Sequence, residues 1–260
     1  MHFEYSLAGA FVGFLVGLTG VGGGSLMAPL LILLFGFSPA VAVGTDLWFA
    51  AITKTAGGLI HHRFGSPDWK IAVRLAIGSV PAAILTLLWL GFFHSGELES
   101  DLLMKLLGGA LLLTSVLMLA KRQIAGPVQR VRDRLGPAMR SRQIAATIIG
   151  GALVGCLVTL TSVGAGALVA VLLAVLYPLR LGTKAIVGTD IIHAVPLTLV
   201  AALGHSWLGN VDGWLLATLL VGSIPGIIAG SLFAGRVDDK LVRYALSGML
   251  VISAIKMMTS

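Results

Sequence analysis

Charge and cysteine are what this sequence has least of. Only 11% of its 260 residues are Asp, Glu, Lys or Arg, where a soluble domain carries about a quarter. The single cysteine, Cys156, excludes an intrachain disulfide, a Cys-x-x-Cys redox pair and any multi-cysteine metal site. No Lys or Arg precedes the first apolar run in Met1-His2-Phe3-Glu4-Tyr5, so a cleaved secretory leader is not expected. Once the apolar runs are subtracted, too little chain remains for a catalytic or ATP-binding module, and gradients are left as the energy source. The run Gly22-Gly23-Gly24-Ser25 is no phosphate loop, because the Gly-Lys-Ser/Thr ending is missing.

Long hydrophobic runs fill the space instead. The chain is 57% hydrophobic, with a mean hydropathy of +0.99. Eight segments stand out, at 6–36, 39–61, 70–94, 102–120, 144–178, 184–205, 211–234 and 240–257. Hydrocarbon gives a backbone no hydrogen-bond partner, and the runs lack the two-residue alternation of a barrel strand. The expected fold class is therefore an all-α polytopic membrane protein.

The net charge of +7 is not a nucleic-acid signal. Lys121, Arg122, Arg130, Arg132, Arg134, Arg140 and Arg142 against Asp133 give one short stretch +6 of it. Basic residues beside apolar segments mark the cytoplasmic side. The expected surroundings are a lipid bilayer, with no nucleic-acid partner.

The chain also repeats itself. Gly9-Ala10-Phe11-Val12-Gly13 and Thr19-Gly20-Val21-Gly22-Gly23-Gly24 return as Gly151-Ala152-Leu153-Val154-Gly155 and Thr161-Ser162-Val163-Gly164-Ala165-Gly166, 142 residues later. Val43-Gly44-Thr45-Asp46 and Gly78-Ser79-Val80-Pro81 return 144 residues later as Val187-Gly188-Thr189-Asp190 and Gly222-Ser223-Ile224-Pro225. This divides the chain into a membrane repeat at 1–121, a basic cytoplasmic linker at 122–143 and a second repeat at 144–260. Duplicated, glycine-interrupted membrane units are the mark of secondary transporters.

The first and fifth segments are long and break at their glycine-rich centres. With the 121–142 loop inside, the positive-inside rule works backward through the first half. Forward, a simple crossing by the fifth segment puts Arg180, Lys184, Arg236, Lys240 and Arg243 on the wrong side. A re-entrant hairpin removes the conflict and makes the two repeats inverted. Its legs, of some 14 residues, span about 21 Å, short of the roughly 30 Å core. Eight plain crossings with a parallel repeat remain the alternative.

Ionisable groups inside these segments are the functional candidates, since a charge at bilayer depth costs about 2.5–3.5 kcal/mol. Asp46 and Asp190 are equivalent and sit at helix starts, where capping and a proton-coupling site are both open readings. Lys54 lies past the middle of its segment and either snorkels to the inner interface or faces a substrate or an Asp. Its counterpart, Thr198, is uncharged and is expected to bond back to its own helix. His193 shares a face with Asp190 and reads as a proton relay or as a structural histidine. Backbone amides at Gly22, Gly23, Gly24, Gly164 and Gly166 suit a small oxyanion, with hydroxyls of Thr19, Ser25, Thr161, Ser162, Thr45 and Thr189 nearby. No metal site, cofactor or catalytic set is expected, and the chain does not read as an enzyme. A passive anion channel and, less favoured, an intramembrane hydrolase are the rivals to a transporter.

At these residues the chain resembles the sulfite exporter TauE/SafE family of membrane permeases. The resemblance covers nearly the whole length. It rests on Gly13 to Ser25 with Pro29 after it, Val43-Gly44-Thr45-Asp46, the stretch from His61 to Trp69, and the weaker second copy. It implies a bacterial-type permease that exports, or in some members imports, small sulfur-containing or organic anions such as sulfite, sulfonates or sulfoacetate. The second copy departs from the glycine pattern, with Ser162 and Ala165 where the first has Gly20 and Gly23.

The hairpin reading sets a topology that thiol labelling checks. In a Cys156→Ala background, single cysteines at Ala138 and Gly182 should react from the cytoplasmic face and one at Gly209 from the opposite face. Gly182 labelling from the face opposite to Ala138 would restore the plain-crossing alternative.

Overall fold

A computed structural model describes residues 3–19, 24–60, 67–135, 139–177, 180–233, 237 and 239–259. Among these there are ten helices and no strand: α1 (Phe3–Thr19), α2 (Gly24–Phe35), α3 (Pro39–Ile60), α4 (Trp69–Phe93), α5 (Ser100–Leu135), α6 (Met139–Thr161), α7 (Ala167–Leu176), α8 (Thr183–Trp207), α9 (Gly213–Phe233) and α10 (Asp239–Thr259). Six contain stretches long and apolar enough to cross a membrane, within α4, α5, α6, α8, α9 and α10. Large apolar side chains point outward, among them Phe92 at 74% exposure, Leu153 at 68% and Ile252 at 68%. Such an outside is stable only against lipid, and the chain is a multi-pass membrane protein.

The fifth hydrophobic segment breaks where its sequence stops favouring helix. Ser162 (φ 55°) and Gly164 (φ 108°) take left-handed conformations, which end a right-handed helix. The break lies at the centre of the segment, in its glycine-rich stretch. The helices on either side are still unequal, with 23 residues in α6 and 10 in α7, because α6 begins at Met139, upstream of the apolar run. Residues with positive φ decide where the helix stops, whatever the length of the apolar run.

After the break the chain returns toward its starting point. The Tyr177 and Thr147 hydroxyls share a hydrogen bond of 2.7 Å, and the Gln143 side-chain amide donates to the Leu176 carbonyl. The end of α7 thus lies beside the start of α6. The first segment repeats this at the equivalent places, with the Tyr5 and Phe35 rings edge to face at 4.9 Å. Residues 20–23, including Gly20, Gly22 and Gly23, lie outside the described residues.

Two helix pairs form the tightest contacts. A methyl group on Gly9, Gly13 or Gly17 of α1 would strike the backbone of Leu219, Ser223 or Ile227 of α9. Gly78, Gly151 and Gly155 play the same part between α4 and α6. Residue numbers rise together along both pairs, so each is parallel. Small residues four apart permit this backbone approach, and in lipid such packing substitutes for the missing hydrophobic drive. The first helix of each half therefore lies on a helix of the other half.

Equivalent helices run antiparallel. Along α3 and α8, the Trp48 indole N–H donates to the Ser206 hydroxyl at 2.8 Å near one end, and Lys54 meets Asp190 further along. Between α5 and α10, the Ser115 hydroxyl donates to the Ser247 carbonyl at 3.1 Å. The helix starts are braced in matching fashion. The Asp212 N–H donates to the Thr45 hydroxyl at 3.1 Å and the Asp68 N–H to the Thr189 hydroxyl at 3.0 Å. Each carboxylate then accepts from an amide three residues on, Leu215 or Ile71, which caps α9 and α4. Asp68 also pairs with Arg180 at 2.6 Å. The basic stretch around 121–142 is helical from Lys121 to Leu135, where it continues α5, and again from Met139.

Overpacking the parallel seams should cost about 1–3 kcal/mol or more. Gly155→Leu is expected to lower the thermal unfolding midpoint of the detergent-solubilised protein. Gly182→Ala, with φ −72° and open space around its Cα, should leave it unchanged.

Candidate functional site

Four ionisable residues from two helices converge near the break between α6 and α7. Lys54 lies on α3, about two turns beyond Asp46, and its side chain reaches inward. It is 7% exposed, so it does not snorkel. Its ammonium donates to the Ala165 carbonyl in the break and lies 3.9 Å from the Asp190 carboxylate of α8. His193, one turn along α8 from Asp190, shares a 2.8 Å hydrogen bond through Nε2 with the Ser79 hydroxyl of α4.

Asp46 completes the group from the same helix as Lys54. It is fully buried, and neither carboxylate oxygen has a hydrogen bond of ordinary geometry among the described residues. The Ser162 side chain, the Ala28 backbone and the Lys54 charge are what face it. The Ser162 hydroxyl, apart from its approach to Asp46, and His193 Nδ1 are likewise buried without a partner among the described residues. Buried polar atoms are hydrogen-bonded in nine cases of ten or more, so this concentration of unpaired atoms points to a place where something binds. An ammonium among carboxylates at this depth can hold an anion's oxygens or pass the charge between partners.

Two amides of the break are hydrogen-bonded. The Val163 N–H donates to the Thr161 hydroxyl at 3.2 Å and the Ser162 N–H to the Val158 carbonyl at 2.7 Å. Gly166 caps α7 without a side-chain bond, which leaves the positive end of that short helix beside the cluster.

Of the residues singled out from sequence, Lys54, Asp46, Asp190, His193 and Ser162 come together, with Gly164 and Gly166 in the same loop. Several hydroxyls are occupied elsewhere. Thr161 donates to Leu157 at 2.6 Å and Thr19 to Leu15 at 2.8 Å. Thr45 and Thr189 hold the Asp212 and Asp68 amides. Thr198 donates to Ala194 of its own helix at 2.8 Å. Ser25 is half-buried in the first turn of α2, and Gly24 begins that helix. Gly22 and Gly23 fall outside the described residues.

Two participants escaped the sequence reading. The Ala165 carbonyl is a backbone group that no side-chain pattern could single out. Ser79 carried a usable signal, since it belongs to the repeated Gly-Ser-x-Pro motif of 78–81 and 222–225. His205 is also buried, and its Nε2–H donates to the Thr159 carbonyl at 2.9 Å, bracing the C-terminal end of α6.

No solved structure matches the chain. Curated relatives do, and all of those described below carry transporter names. The "Probable membrane transporter protein YjnA" of Bacillus subtilis is 38% identical over 258 residues, covering 99% of this chain and all of the relative. "YdhB" of the same organism is 28% identical over 239 residues, 90% of this chain and 91% of its own. A probable membrane transporter protein of Methanocaldococcus jannaschii is 25% identical over 268 residues, 97% and 93% of the two chains. The profile of the family described as Sulfite exporter TauE/SafE matches residues 5–257. With a buried lysine–carboxylate cluster at its centre and a transporter profile along nearly its whole length, the chain belongs to the sulfite exporter TauE/SafE family of membrane transporters.

Proposed function

We propose that this protein is a secondary-active transporter, working as an exporter, of a small anion such as sulfite, a sulfonate, sulfoacetate or a related organic anion. The reading places it in the bacterial inner membrane, with the two broken segments as re-entrant hairpins and the repeats inverted. The observation that carries it is the Lys54 ammonium, buried and tied to the break of α6–α7 and to Asp190. An uncompensated lysine at this depth is costly, and its counterpart in the other repeat is Thr198. The duplicated architecture therefore does not require the charge, which supports a ligand task. Antiparallel α3/α8 and α5/α10 support the inverted arrangement.

An arriving anion competes for the ammonium with the Ala165 carbonyl and Asp190. Taking it from them frees the break, which joins substrate binding to movement of α7. Asp46, Asp190 and His193 are the groups assigned to proton coupling, since each is buried within the same cluster.

Flux assays in proteoliposomes test this reading. Wild-type protein should show saturable sulfite flux and sulfite counterflow, the second of which a passive pore cannot produce. Lys54→Ala should lower the flux about tenfold or more, the scale of a lost charge-assisted hydrogen bond. Lys54→Arg, too bulky and forked for the site, should also transport poorly. Undiminished flux in both variants removes Lys54 from the site.

A further inference from the structure

The Ser79–His193 hydrogen bond decides which imidazole nitrogen is left over. Ser79 is held in place by the α4–α6 seam, where a methyl group on Gly155 would strike its backbone. Its fully buried hydroxyl bonds to His193 Nε2 at 2.8 Å and, among the described residues, to nothing in its own helix. In the other copy the counterpart of His193 is Phe49, which offers no nitrogen. There the matching Ser223 hydroxyl turns back to the Leu220 carbonyl at 3.4 Å. In a neutral imidazole one nitrogen donates and the other accepts. If Nε2–H donated, the Ser79 hydroxyl hydrogen and the Nδ1 lone pair would both be buried without a partner. If Ser79 donates, only Nδ1–H is left unpaired. Each such atom is costly, so Ser79 donates and His193 carries its hydrogen on Nδ1. That residue is 1% exposed and lies one turn along α8 from Asp190, the neighbour of Lys54.

We propose that Ser79 is a positioning residue for a second anion-binding group, holding His193 as the Nδ1–H tautomer so that this N–H joins the Lys54 ammonium on the substrate's acid oxygens. The proposal rests on the anion-site reading above and adds a neutral donor to it. Such a donor suits sulfite, sulfonates and carboxylates alike, since each presents acceptor oxygens. The same residue keeps its coupling role, because a second proton enters at the Nε2 lone pair once Ser79 turns its hydroxyl away.

The tautomer is read by solid-state NMR of the full-length protein carrying histidine labelled with the heavy nitrogen isotope. The His193 signals are those lost in His193→Phe, a variant that takes the residue found at the matching place in the other copy. Protonated Nδ1 with bare Nε2 is expected, and the reverse overturns the proposal. Binding is measured in detergent at fixed neutral pH by isothermal titration calorimetry with sulfite, sulfoacetate and ethanesulfonate. The tightest binder of the wild type is the probe. An asparagine amide stands in for Nδ1–H and a glutamine amide for Nε2–H. His193→Asn should therefore bind the probe about fivefold more tightly than His193→Gln, the scale of one neutral hydrogen bond. Ser79→Ala should weaken binding about fivefold and bring the Nε2–H tautomer into the spectrum. Equal binding by His193→Asn and His193→Gln overturns the proposal, as does a Ser79→Ala protein with the wild-type spectrum or the wild-type affinity. If a variant does not fold, the wild-type tautomer, assigned through whichever His193 variant folds, decides alone. Lys54→Gln should lose the probe. Wild-type affinity in Lys54→Gln, or no binding of any of the three anions to wild type, instead sinks the anion-site reading and this proposal with it.

Discussion

Hydrocarbon supplies no hydrogen bonds, so a helix can be interrupted at membrane depth only where protein answers every freed group. The interruption between α6 and α7 is answered in part by three devices. Thr161 folds its hydroxyl toward the Val163 amide, Ser162 keeps its amide on the α6 ladder, and Lys54 arrives from α3 for the Ala165 carbonyl. The third device differs in kind. It brings a formal charge into the interior, and that charge draws in Asp190, with His193 and Ser79 next along. The polar centre of the molecule is thus built around the repair of one broken helix.

The repeat and the site pull in different directions. Scaffold contacts come in matched sets, such as Thr45 with Asp212 and Thr189 with Asp68. The groups with chemistry to offer mostly do not. Lys54 corresponds to Thr198, His193 to Phe49, Ser162 to Gly20 and Ala165 to Gly23, while Asp46 with Asp190 and Ser79 with Ser223 are matched. Two copies of one unit supply a near-symmetric frame, and the differences between the copies supply a single lopsided site. A symmetric site would have paired two aspartates with no cation between them.

Much of this was legible because lipid is an unforgiving solvent. Apolar runs of the right length located the helices, and positive-φ candidates rich in glycine located the breaks. The cost of burying charge drew attention to Lys54, Asp46, Asp190 and His193. What the linear pattern could not express was pairing across distance. The Ser79–His193 bond joins residues 114 apart, and the Ala165 carbonyl is chosen by shape rather than by residue type. The helix seams show the same limit. The four-residue glycine spacing of Gly9, Gly13 and Gly17 is plain in the sequence, but its partner, α9, lies over 200 residues away. The unequal lengths of α6 and α7 were missed because α6 starts at Met139, in the basic stretch ahead of the apolar run.

The two parallel seams have a consequence for how the molecule comes into being. Because α1 beds into α9 and α6 into α4, each copy lends its opening helix to the other. Neither copy alone presents the glycine groove that its own first helix requires. During synthesis α1 must wait, without its permanent neighbour, until almost the entire polypeptide has emerged from the ribosome. Fusion of the two copies into one gene keeps that late partner tethered nearby, and a lone half would carry an orphaned helix with nowhere to settle.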